Sequence, residues 1–308
     1  MVQSAKKDSK QKGDEDVEGT VDQVEDRDDD DEAEHDEASS RGSGSHEAPI
    51  FAVEGASVGR SLKNVYTIAV RELRSYFDSL VAYVVLGGSM LALGLYFFND
   101  TPLSASFWKM GRADMTHMFE FLPAWMSVIV IPLVTMRAVA EEKRSGTLEL
   151  LITMPVRDAE VILGKYLAAL AMCVILLVCA LAIPIAMFVW PWHLGSLDWG
   201  PIWSGFIGLV LFSAAGTAIG LFFSSITESQ IIAFFVTSFL LCLLVSLGML
   251  AQYVHGVVGD IAGFLSFESR FEGFSRGLID TRAVVYFLSI AILCLLVSFR
   301  SLESRKWS

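Results

Sequence analysis

An all-α, polytopic membrane protein is predicted by three features of this 308-residue chain. Hydrophobic residues make up 53% of it and the mean hydropathy is +0.51, above the roughly 45–50% apolar content of soluble domains. Six apolar runs, near 79–98, 119–138, 166–190, 202–224, 229–250 and 283–299, each approach the roughly 20 residues that cross a hydrocarbon core as a helix. The acidity is segregated: residues 1–54 hold 6 of the 23 Lys and Arg but 18 of the 35 Asp and Glu, a balance of −12, while the remainder holds 17 of each sign and is neutral. The pI of about 4.9 therefore belongs to the N-terminal segment and not to the membrane domain.

Residues 1–54 are expected to be a disordered acidic tail ahead of a membrane domain at 55–308. Asp28 to Glu32 is an unbroken acidic run, and the Ser/Gly-rich stretch 39–45 reads as a tether. An apolar h-region is missing, so the tail does not read as a signal peptide.

From 58 to 77 the pattern becomes that of an amphipathic helix. Leu62, Val65, Tyr66, Ala69, Leu73, Tyr76 and Phe77 share one arc, with Arg60, Lys63, Arg71 and Arg74 opposite and Ile68 and Glu72 at the margins. Cations facing anionic headgroups and apolar groups facing the acyl boundary predict a helix in the membrane interface.

The first two spans are followed by a charged island at 139–165. Glu141, Glu142, Lys143 and Arg144 would each cost roughly 2.5–3.5 kcal/mol in hydrocarbon, so the second span is expected to end near Arg137. Leu148, Leu151 and Ile152 fall at helical spacing, and Pro155 disfavours helix at Met154, which predicts a short amphipathic helix in the loop. Twelve Lys and Arg fall on the side of this loop and five on the other, so both termini and the island are expected in the cytoplasm.

Within the spans, Pro132 and Pro184 free backbone carbonyls and introduce kinks. Gly216 and Gly220, continued by Ser224, allow close helix approach, either within the subunit or between subunits. Cys173, Cys179, Cys242 and Cys294 fall inside predicted spans without metal or disulfide spacing and read as packing residues. His117 and Glu120, one helical turn apart, supply too few ligands for a metal site. Catalytic residues are not expected: paired intramembrane carboxylates and Ser/His arrangements are missing. Gly164-Lys165 is followed by Tyr166 and lacks the earlier glycine of a phosphate-cradling loop. Before the last span, residues 251–282 predict an outer re-entrant hairpin. Phe267, Phe271 and Phe274 would form an apolar stripe buried in the outer leaflet, with Glu268, Arg270, Glu272 and Arg276 kept wet.

The string GTLELLITMPV, with Glu160 and Gly164-Lys165 after it, resembles the first cytoplasmic loop of ABC-2-type exporter permeases, particularly the gliding-motility (GldF-like) branch. The segment ending Gly277-Leu278-Ile279-Asp280 resembles the same branch, and together these resemblances cover about residues 58–305. They imply an ABC-2 permease of the type V exporter-like fold in a bacterial cytoplasmic (inner) membrane. The island would carry a coupling helix that enters a cleft in a separate ABC ATPase subunit, through Glu141, Glu142, Gly146, Thr147, Leu148, Glu149, Leu151 and Ile152. Arg60, Lys63, Arg71 and Arg74 would belong to an elbow helix, and Phe267, Phe271, Phe274, Arg276 and Asp280 to an outer gate. The implied partners are that ATPase, which would bind ATP and Mg, and a second permease subunit, identical or different, with lipids around them. This chain would bind no cofactor and no nucleic acid. A membrane anchor or scaffold of a surface or motility machine, keeping the fold without moving a substrate, is the alternative.

Overall fold

The computed structural model describes residues 50–98, 115–145, 158–188, 198–254 and 256–304, all within one compact unit, Pro49–Ser308. The acidic tail and the predicted coupling segment 146–157 lie outside the described residues. Every regular element among the described residues is helical: α1 (Ile50–Asp78), α2 (Leu80–Phe98), α3 (Thr116–Trp125), a π-helical turn (Met126–Val130), α4 (Ile131–Thr135), α5 (Ala140–Ser145), α6 (Asp158–Ala180), α7 (Ala182–Phe188), α8 (Trp199–Ile226), α9 (Gln230–Tyr253), α10 (Val257–Leu265), α11 (Phe267–Ser275) and α12 (Thr281–Ser304). Among the described residues, six stretches are long and apolar enough to span a membrane: Leu80–Phe98, Met118–Arg144, Ala159–Met187, Trp199–Ile226, Gln230–Tyr253 and Thr281–Leu302.

Two of these spans make the core. The second and fourth are 61% and 67% buried, against 22–39% for the others, so they form the centre and the rest a rim with lipid-facing sides. The fourth, α8, packs most extensively on α12 and also meets α6, α9, α11 and the second span. Its close approach to the second span comes from missing side chains. A Cβ at Gly216 would stand 2.7 Å from Ile131 Cδ1, and one at Gly220 would collide with the Thr135 hydroxyl. The Gly216–Gly220 stripe is thus filled from within the same chain, and Ser224 extends it by accepting hydrogen bonds from the Val139 and Ala140 backbone N–H groups at 3.1 Å each.

The prolines act where the sequence places them. Pro132 cannot donate to the Val128 carbonyl four residues earlier, and the Ser238 hydroxyl of α9 supplies that bond at 2.9 Å. Immediately before it, the helix widens into the π-turn that also follows Pro123, with Ser127 Oγ donating to the Pro123 carbonyl at 2.7 Å. Pro184 coincides with the break at Leu181 that separates α6 from α7.

On either side of 146–157 the helical structure runs past the expected spans: the second stretch continues as helix and turn to Arg144 and the third begins at Ala159, and there Lys165 pairs with Glu142 and Glu72. The helix α1 likewise begins at Ile50, ahead of 58.

Candidate functional site

Two regions at opposite ends of the bundle carry the polar chemistry. The first lies where α5 ends and α6 begins, on either side of residues 146–157. Lys165, only 4% exposed, projects from the first turns of α6 and donates to Glu142 Oε1 at 2.7 Å and to Glu72 Oε1 at 3.3 Å. One ammonium therefore joins α1, α5 and α6. A turn earlier on α6, Glu160, 6% exposed, accepts from the Ser61 hydroxyl and from Asn64 Nδ2 at 3.1 Å, both on α1. Charges this deep persist only when paired and hydrogen-bonded.

Apolar packing sets the register of this clasp. A Cβ at Gly164 would sit 2.6 Å from Ile68 Cγ2, so Gly164 lets α1 close onto α6. The Tyr76 hydroxyl donates to the Val134 carbonyl at 3.0 Å, tying α1 to the second span where its helical ladder loosens. On the other side Lys143 Nζ donates to the Ser225 carbonyl at the end of α8. The two helices flanking 146–157 are thus bound to α1 and to the end of the central span.

The apolar arc of α1 is only partly covered by protein. Its packed side carries Val65, Ile68, Glu72 and Tyr76, whereas Leu62 and Tyr66, expected in the same apolar arc, are 65% and 70% exposed. The helix is turned toward Ile68 and Glu72 because Gly164 offers the contact and Lys165 the charge. Arg60, Lys63, Arg71 and Arg74 are exposed, and Arg71 also reaches Glu72 at 3.5 Å. Among the expected coupling residues, Glu141 is exposed and Glu142 belongs to the clasp. Gly146, Thr147, Leu148, Glu149, Leu151 and Ile152 lie outside the described residues.

At the opposite end, α11 is packed into the helix bundle. Phe267, Phe271 and Phe274 are buried, but in the protein and not in the outer leaflet as the sequence suggested. Phe267 meets Phe212 and Phe287 edge-on with centroids 5.5 and 5.3 Å apart, and Phe271 lies 6.3 Å from Phe119. Gly208 on α8 makes the space, since a Cβ there would stand 2.7 Å from the Phe274 ring, and Ser204 Oγ donates to the Phe274 carbonyl at 2.7 Å. The exposed apolar face belongs instead to α10, through Val257, Val258, Ile261 and Phe264. Leu278 N–H reaches back to the Gly273 carbonyl at 2.9 Å to end α11, which requires Gly277 at φ +91°. Arg276 and Asp280 are exposed, Arg276 paired with Glu272.

Between α11, α9 and the second span lies a cavity of about 630 Å³, walled by Phe119, Pro123, Val245 and Met249 and edged by Glu120, Glu268 and Glu272. Burial, with Glu272 and Glu120 adding to it, holds the Glu268 carboxyl above the usual carboxylate range. A small amphiphile or a proton could be accommodated there; among the described residues no group of three or more His, Cys, Asp and Glu is arranged to hold a metal.

Sequence reasoning named the Phe stripe, Glu142 and the Gly216–Gly220 stripe, and missed Lys165 as the joining residue along with Gly208 and Ser204. The available signal was a lone Lys inside an otherwise apolar helical start, preceded by Gly164 and by Glu160 five residues earlier.

Residues 80–299 match the model of a family described as ABC-2 family transporter protein, from the first residue of α2 to within α12, with α1 and the tail outside the match. No curated protein matches the chain.

Proposed function

Since this chain belongs to the ABC-2 family of transporter membrane proteins, with six candidate spans and a membrane domain that has no ATPase site of its own, we propose that it is the permease subunit of an ATP-driven exporter of the GldF-like branch. ABC-2 permeases generally pair with ABC ATPase subunits. In the proposed arrangement the ATPase engages residues 141–152 from the cytoplasm, and closure of two ATPases on ATP drives the second and third spans of two permease subunits. Both termini are then cytoplasmic, and α11 with its aromatic plug closes the outer end.

The observation that carries the proposal is the clasp at Lys165. A loop that only connected two spans would need no buried cation holding both its flanks to α1. With it, force applied between 145 and 158 moves α1, α5 and α6 together, and Lys143 passes it to α8. Gly146→Arg, or Leu148→Asp with Leu151→Asp, should preserve the melting temperature of the purified chain yet abolish co-purification of a nucleotide-binding subunit. Undiminished co-purification in both variants removes the segment from the mechanism.

A further inference from the structure

We infer that the groove between α10, α11 and the first half of α12 is a binding site for a phospholipid with an anionic headgroup. The groove measures about 810 Å³ and is mostly apolar; Arg270 and Arg282 are its charged residues, and Thr281, Tyr286 and Ser289 add hydroxyls. Arg270, Thr281 and Arg282 stand at its mouth, while Phe264, Val285 and Leu293 line the remainder, each of these three about 60% exposed. From Thr281 to Leu293 is twelve residues of helix, about 18 Å at roughly 1.5 Å each, close to the ~15 Å depth of one leaflet. The cations thus stand at headgroup depth and the apolar floor reaches to about mid-membrane. A molecule shaped like one lipid, charged at one end, fits both parts.

The Arg270 guanidinium is held ready for an anion. It lies over the Phe264 ring at 4.8 Å from the centroid and near Tyr286 at 5.6 Å. Tyr286 is itself fixed by donating to the Leu265 carbonyl at 2.7 Å. The Arg270 Nε is buried without a hydrogen-bond partner, and no ion pair involves Arg270 or Arg282 among the described residues. Asp280, the nearest carboxylate in sequence, accepts from the Arg282 backbone N–H at 2.9 Å, as an N-terminal cap of α12. A buried guanidinium nitrogen lacking an acceptor requires one in the assembled membrane, and a phosphodiester oxygen supplies it. The inference depends on the six-span fold and is independent of the coupling proposal.

The test is native mass spectrometry of the full-length protein, released from mild nonionic detergent in an equimolar mixture of phosphatidylglycerol and phosphatidylcholine with identical acyl chains. One phosphatidylglycerol per chain should survive conditions that strip other lipids. Arg270→Gln and Arg282→Gln should each lower its preference over phosphatidylcholine about fivefold, and the double variant should erase it. Arg282 is exposed, so Arg282→Gln carries the test even if Arg270→Gln misfolds. Equal retention of both lipids overturns the inference, as does an unchanged preference in the double variant. Thermal stabilisation by inorganic phosphate equal to that by phosphatidylglycerol would make this a soluble-anion site and also overturn it. A disulfide between the Val285→Cys positions of two chains, formed in native membranes, would show a second copy occupying the groove and would overturn it as well.

Discussion

Lys165→Met tests the clasp directly, and its magnitude follows from the geometry. The two carboxylate oxygens share one ammonium at 2.7 and 3.3 Å and so lie no more than 6.0 Å apart. Without the cation they repel: at an effective dielectric near 20, two unit charges about 6 Å apart cost roughly 2.8 kcal/mol. Breaking a buried pair from one side generally costs about 3–5 kcal/mol. Glu72 and Glu142 retain 21% and 23% exposure, so water recovers part of that, and the expected loss is about 2–3 kcal/mol. The assay is a denaturation midpoint in detergent, followed by tryptophan fluorescence, for the wild type, Lys165→Met, Glu142→Gln and the double variant. Neutralising Glu142 removes the repulsion, so the double variant should recover at least half of the Lys165→Met loss. A Lys165→Met protein within about 0.5 kcal/mol of wild type, the ordinary range of surface substitutions, would refute the reasoning, and so would losses that simply add.

Three other outcomes follow from the same structure. Gly220→Ala should destabilise by about 1–3 kcal/mol because the added methyl meets the Thr135 side chain, whereas Gly94→Ala, which meets nothing within 4 Å, should be neutral or stabilising in the same melting assay. The raised carboxyl of Glu268 prefers its neutral form in the folded protein, so its contribution to stability is full below the ordinary Glu range and is lost as pH rises through the raised value; melting temperatures from about pH 4 to 8 should show that slope, and Glu268→Gln should flatten it. In a Cys-free background, a membrane-impermeant maleimide should label Ser269→Cys in intact cells and Ser145→Cys only after permeabilisation, and the reverse pattern would invert the proposed topology.

The spans were legible because a run of about 20 apolar residues leaves a chain few alternatives in a bilayer. The helix ends flanking residues 146–157 were not. A rule that sends every charge to water stops the second span near 137 and starts the third near 166, while Lys165 pairs with Glu142 and Glu160 is held by Ser61 and Asn64, all across long separations in sequence. Periodicity also gave the Phe267, Phe271 and Phe274 face without its neighbour. Whether that face meets lipid or protein is decided by Gly208 on α8, some sixty residues upstream, where a missing side chain makes room for Phe274 and Phe271. In α1, Ile68 and Glu72 looked marginal because the residues that meet them, Gly164 and Lys165, stand about a hundred positions away.

The central claim is that ATP hydrolysis by a partner reaches this chain through residues 141–152. The most direct measurement is vanadate-sensitive ATPase activity of the assembly purified through this subunit, comparing the wild type with the Leu148→Asp, Leu151→Asp double variant at equal permease content and equal melting temperature. Activity in the wild-type preparation that disappears in the variant is the predicted result. Equal activity in both, or none in the wild type when the chain is purified from its native membranes, would contradict the claim.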